Sequence, residues 1–178
     1  MTCTSSHLLP LCIRVRCRIP FTSRFSRTMS SSNHAPITIS SLTYLSAKDL
    51  APLLLDQTTA SKIAVIDVRD SDHIGGNIKD SHWIPLHQLD TRIPELLRTM
   101  KDKDRVVFHC MLSQQRGPRA ALMYARAKQR AELKVTEESE DGAIKQEVCV
   151  LEGGFGSWQA RFGEDPRLTA NYQQDLWQ

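Results

Sequence analysis

No stretch of this chain approaches the ~20 consecutive apolar residues that a membrane-spanning helix requires, so no membrane partner is expected. Cysteine is scarce and unevenly placed. Of five, Cys3, Cys12 and Cys17 fall near the start, and only Cys110 and Cys149 lie in the body of the chain. Their spacings match no zinc site and form no disulfide framework, so no metal is expected. Free thiols imply a reducing compartment, the cytoplasm or nucleus. No secretory signal is expected either, because positive charge follows the short apolar segment LLPLCI instead of preceding it. Residues 1–29 lack any acid and carry five arginines (Arg14, Arg16, Arg18, Arg24, Arg27). With those set aside, the 23 basic residues become 18 against 20 acidic ones, so the formal net charge of +3 belongs to the leading segment. No basic, nucleic-acid-binding face is therefore expected for the remainder.

What is present suits one soluble domain: 178 residues, 40% hydrophobic and 24% charged. Residues 1–36 read as a disordered N-terminal arm. Their Arg- and Ser-rich, acid-free composition also fits a mitochondrial targeting segment, and Met29 offers a second start. The domain is expected over residues 37–165, with the polar, acidic segment KVTEESEDGAIKQE (134–147) as a surface loop. Residues 166–178 are expected as a C-terminal tail. Within the domain, ITI (37–39), IAVIDV (63–68), HWIPL (82–86), RVVFH (105–109) and EVCVL (147–151) read as strands. Between them, Ser46 with AKDLAPLLL reads as a capped helix containing an awkward Pro52, and residues 87–99 show helical spacing. Pro118 opens a third helix, and a fourth follows the turn GGFG, starting near Ser157. Strand-helix alternation predicts an α/β fold, a central five-stranded parallel sheet with helices on both faces. In such sheets chemistry sits beyond the carboxyl ends of the strands.

FHCMLSQQRGP (108–118) occupies such a position. A loop between a strand end and a helix start can aim several backbone N–H groups at one point, and the helix dipole adds positive charge there. Arg116 contributes a planar cation able to hold two oxygens of a tetrahedral anion. Cys110 stands in the same field, which favours thiolate over thiol. The five residues between Cys110 and Arg116 let the loop curl around an anion the size of phosphate. Alone, the cysteine would be read as core and the arginine as a surface group. At this spacing and in this context they read together as nucleophile and oxyanion holder.

The stretch HCMLSQQRGP resembles the His-Cys-x-x-x-x-x-Arg signature of cysteine-dependent phosphatases. Its Arg-Gly-Pro ending is similar to that of the M-phase-inducer (CDC25-type) phosphatases and their short relatives, the fungal and plant small phosphatases and arsenate reductases. Two further segments resemble parts of a rhodanese-like fold: VIDVRDSDHIGGNIKDSHWIP (65–85) and VCVLEGGFGSW (148–158). The resemblance covers residues 40–162, with the fungal small phosphatases the most alike. Sulfurtransferases of this fold carry a loop one residue shorter, so the resemblance implies phosphate-sized substrates.

The resemblance implies a phosphatase hydrolysing phosphate monoesters, phosphotyrosine or phosphoprotein among them. Cys110 would form a phosphocysteine and Arg116 would hold oxygens with the loop residues Met111, Leu112, Ser113, Gln114, Gln115 and Gly117. No cofactor is expected. The alternative is an arsenate reductase at the same loop, with glutathione or glutaredoxin as reductant; a third reading is a non-catalytic rhodanese-like binding module. The larger phosphatases carry glutamates where Met111 and Gln115 stand, which leaves the proton donor unassigned. Asp70 and Asp72 are the candidate general acids, and Asp67 is expected to brace the loop. His109 would orient the loop or tune Cys110, and the Ser113 hydroxyl would donate to the thiolate. Cys149 is expected in the core, with a resolving role toward Cys110 as the alternative.

Overall fold

The alternation of side chains along short β-branched runs sets the architecture. The computed structural model describes residues 36–135 and 146–177. Its strands are β1 (Thr43–Leu45), β2 (Ile63–Asp67), β3 (Asn77–Ile78), β4 (His82–Trp83), β5 (Arg105–His109), β6 (Glu147–Leu151) and β7 (Thr169–Ala170). Five form one sheet in the order β1-β6-β5-β2-β4, every pair parallel, while β3 and β7 make a small antiparallel pair. Helices α1 (Ala47–Leu55), α2 (Gln57–Ala60), α3 (Leu86–Thr99), α4 (Arg116–Val135) and α5 (Gly154–Phe162) connect them.

Successive residues of a strand point to opposite faces, and here both faces are covered. Ala64, Ile66, Val106, Phe108 and Val150 pack on one side with Leu89, Ile93 and Leu96 of α3 and Ala120, Ala121 and Tyr124 of α4. Val65, Val107, Cys149 and Leu151 pack on the other with Leu50 of α1 and Phe155 and Trp158 of α5. The expected five-stranded parallel sheet with helices on both faces is therefore the observed one. The carboxyl ends of β2, β4 and β5 finish side by side, Asp67 paired with both Trp83 and His109.

Several local expectations differ. ITI (37–39) is not the first strand. Thr38 and Ser41 exchange hydrogen bonds that wind residues 39–41 into a 3-10 turn, and β1 forms later, at Thr43–Leu45, where it can pair with Cys149–Leu151. HWIPL pairs through His82 and Trp83 only, because Pro85 has no N–H to give and becomes the N-cap of α3. Pro52 lies inside α1 without ending it. The last helix starts at Gly154, ahead of Ser157. The arm expected over 1–36 lies, except for Pro36, outside the described residues. The acidic loop does so too over 136–145; its first two residues complete α4, and Glu147 begins β6.

Residues 166–177 are not a tail. β7 pairs with β3, Leu168 is buried, and Thr169 Oγ1 accepts a 3.0 Å bond from Trp158 Nε1 while donating to the Phe162 carbonyl. Trp177 donates to the Gly75 carbonyl at 2.9 Å and meets Phe155 edge-on. Burial of Leu168 and half-burial of Trp177 together imply a stabilisation of about 3 kcal/mol, or roughly 10 °C in Tm for a domain of this size. Ending the chain at Asp165 should lower Tm by about that much in a thermal melt. An unchanged Tm would restore the tail reading.

Candidate active site

β5 delivers Cys110 at the carboxyl edge of the sheet, and α4 begins six residues later at Arg116. The loop between them is tightly folded. The Ser113 N–H donates to Cys110 Sγ at 3.2 Å, and the Cys110 N–H donates to Ser113 Oγ at 3.4 Å. Ser113 pays for that turn with a left-handed backbone, φ 50°. Its hydroxyl therefore serves the Cys110 amide; the sulfur receives the backbone N–H instead of the expected hydroxyl. From below, the amides of Phe155 and Gly156 hold the carbonyls of Cys110 and Met111 at 2.9 and 2.8 Å. Only glycine can stand at 154, where a Cβ would lie 2.5 Å from both of those carbonyl oxygens. Cys110, Ser113 and Gly117 are buried, Met111 is half-buried, and Leu112, Gln114 and Gln115 are exposed around them.

Arg116 does not project freely. Asp72 grips it with both oxygens, Oδ1 2.7 Å from Nη1 and Oδ2 2.5 Å from Nη2, and Asp70 Oδ2 adds a 3.1 Å contact to Nη1. The structure thus brings both candidate acids to the loop. The hydrogen bonds from Arg116 hold the Asp72 carboxyl down to about 2, and those of Asp72 push the Arg116 guanidinium further up. His87 Nδ1 meets the other oxygen of Asp70 at 3.1 Å.

Beneath this surface pair lies a second, wholly buried one. Arg69 holds Asp67 with its backbone N–H, Nε and Nη2, then extends to the carbonyls of Ile74 (3.3 Å) and Gly76 (2.8 Å) and lies 4.2 Å above the Phe155 ring. Burial works to raise the Asp67 carboxyl, but the charge of His109, when that ring is protonated, and Arg69 bring it below the ordinary value. Asp67 thus braces residues 69–76 through Arg69; its carboxylate makes no hydrogen bond to the cysteine loop. His73 stacks on Trp83 at 4.6 Å, and the Trp83 N–H donates to the Arg69 carbonyl. Arg69, His73, Trp83 and His87 carry this frame, and none was picked out from sequence. The one available signal was an arginine directly following the buried run IDV.

His109 is fully buried. Its Nδ1 faces the Cys110 carbonyl at 3.3 Å, which makes it the N–H bearer of a neutral ring. Nε2 lies 3.8 Å from Asp67, too far for a hydrogen bond, and has no other partner among the described residues. Cys149 packs on the opposite face of the sheet from Cys110, with its thiol pushed up to about 12 by burial and by Glu147. It is a core residue, placed away from Cys110 and not as its resolving partner.

The family model for the Rhodanese-like domain matches residues 47–161. The chain is 39% identical over 131 residues to the CDC25-like phosphatase YCH1 of Saccharomyces cerevisiae, across 67% of this chain and 81% of that protein. It is 39% identical over 119 residues to arsenate reductase 2.2 of Oryza sativa subsp. japonica, across 66% and 82%. Among solved structures, the yeast protein Ygr203w, described as a protein tyrosine phosphatase of the Rhodanese family, superposes with a TM-score of 0.58. It is 33% identical, over 80% of this chain and 99% of that one. The As-Sb reductase from Leishmania major also gives 0.58, at 28% identity over 72% and 84%.

Burial pushes the His109 pKa below its usual 6.5, so the folded state holds this ring neutral while the unfolded chain takes up a proton. Its contribution is complete above pH 6.5 and is lost as pH falls toward the folded pKa. Urea titrations on either side of that pH should show stability falling on the acid side. His109→Gln should flatten the slope by up to about 1.4 kcal/mol per pH unit. An unaltered slope would mean that folding does not shift the titration of His109.

Proposed function

This chain belongs to the Rhodanese-like domain family, alongside phosphatases and arsenate reductases, and from that premise we propose that it is a cysteine-dependent phosphatase acting on phosphate monoesters. The observation that carries this reading is the Ser113 amide aimed at Cys110 Sγ in a loop that ends on Arg116 at the start of α4. An N–H donor on the sulfur stabilises charge on the nucleophile, and the remaining amides and Arg116 suit the oxygens of a tetrahedral anion.

The chemistry proceeds in two displacements. Cys110 Sγ attacks phosphorus, the S–P bond forms, and the bond to the ester oxygen breaks with its electron pair leaving on that oxygen. Water then attacks phosphorus, the S–P bond breaks, and phosphate departs with the thiolate restored. Arg116 and the loop amides hold the non-bridging oxygens throughout. An aryl leaving group departs as the anion without a donor, whereas an alkyl one needs a proton. Asp72, ionised on Arg116, has none to give until that contact opens.

Arsenate reduction at the same loop is the second reading, favoured by the names of the rice and Leishmania relatives. It needs a thiol reductant such as glutathione, or glutaredoxin, because Cys149, the one other cysteine among the described residues, faces the opposite side of the sheet. Hydrolysis needs only water, and for that reason it is the first choice.

The test compares para-nitrophenyl phosphate, arsenate with glutathione, and thiosulfate with cyanide as substrates. Turnover of the phosphate ester is expected, with little on thiosulfate. Cys110→Ser should abolish it; residual wild-type turnover would remove Cys110 as nucleophile. Arg116→Lys should lower kcat/KM by about 10²-fold or more, since an ammonium cannot reproduce the planar fork. Wild-type rates in that variant would refute the oxyanion role.

A further inference from the structure

We propose that Asp72 is an internal anion that occupies the fork of Arg116 in the free protein, so that a substrate anion binds by displacing it. Asp72 is thereby the positioning residue that sets the affinity of the loop for oxyanions. The inference rests on the reading that Arg116 binds the substrate anion.

Three features of the contact support it. The carboxylate presents two oxygens to two guanidinium nitrogens, which is the pairing a phosphate or arsenate would make with the same group. One Asp72 oxygen spans Nη1 and the other Nη2, and Asp70 adds to Nη1, so the outward end of the fork is filled. The carboxylate also comes from a fixed support. Asp72 Oδ1 accepts the Asp70 N–H at 2.9 Å, and Arg69 ties down the Ile74 and Gly76 carbonyls of the same loop.

Exposure makes the contact exchangeable. The side chains of Arg116 and Asp72 are 31% and 32% exposed, so water and ions reach the pair and its net worth is that of a surface ion pair. A dianion that also collects the loop amides can outcompete it. The carboxyl is held at about 2, so it remains ionised near neutral pH and is available to be displaced by a competing anion.

A different role would give the opposite sign. If Asp72 merely holds Arg116 in a substrate-ready pose, its removal weakens anion binding; if it competes, its removal strengthens it. Calorimetric titration with inorganic phosphate in a Cys110→Ser background separates the two, because it reads binding without turnover. Adding Asp72→Asn keeps an oxygen for the Asp70 N–H while removing the charge. It should tighten phosphate binding about three- to fivefold, the range expected of a partly exposed ion pair. Asp70→Asn, which removes a single 3.1 Å contact, should have a smaller effect in the same direction. In the protein with Cys110 intact, Asp72→Asn should lower KM for para-nitrophenyl phosphate more than it alters kcat. A melting curve checks the fold, and Asp72→Ser, whose hydroxyl can take the same amide, is the substitute variant should Asn unfold the loop. Phosphate affinity unchanged or weakened in the folded variants overturns the proposal while leaving the phosphatase reading intact. No phosphate binding by either the parent or the variants overturns both.

Discussion

The ion pair between Asp67 and Arg69, wholly out of water, is the constraint on which the site depends. Removing two charges from solvent is costly, and the cost is offset only where every remaining donor finds a partner. Here the guanidinium finds the Ile74 and Gly76 carbonyls and the face of Phe155. One residue thereby ties the end of β2, the loop carrying Asp70 and Asp72, and α5 to one another. Phe155 in turn holds the Cys110 carbonyl through its own amide. The two loops that meet at Arg116 are thus registered against a common buried charge.

Two tiers of charge with different duties result. The inner pair is inaccessible and fixed, and breaking it by removing one partner would strand the other. The outer pair of Asp72 with Arg116 is about a third exposed, and in the proposed exchange its cation passes to an incoming oxyanion. Rigidity below and exchange above would suit the proposed chemistry, in which a nucleophile is held still while anions enter and leave.

Much of this was legible because it is local. The runs IAVID and RVVFH announce buried strands by composition, and a cysteine, five residues and an arginine at a strand-to-helix junction announce an anion nest. What escaped reading depends on partners distant in sequence. ITI looks as strand-like as TYL; only the edge offered by β6 selects the latter. Arg69 looks like any arginine after a strand until Phe155 and Gly76 close around it. Residues 166–177 look like a tail because their neighbours, Asn77 and Gly75, lie nearly a hundred positions earlier. The Ser113 donor to sulfur is a backbone amide, a group that every residue but proline carries and that no side-chain pattern reveals.

The placement of Cys149 across the sheet has a consequence for oxidation. A peroxide that converts Cys110 to its sulfenic acid leaves it with no second thiol among the described residues on its own face of the sheet to form a protective disulfide. Recovery then falls to a thiol that comes from outside the described residues, past the exposed side chains of Leu112, Gln114 and Gln115. Where such thiols run short, the sulfur proceeds to the sulfinic state and the loss becomes permanent. The fold that keeps Cys149 inert thus leaves the durability of Cys110 to thiols other than its one described companion.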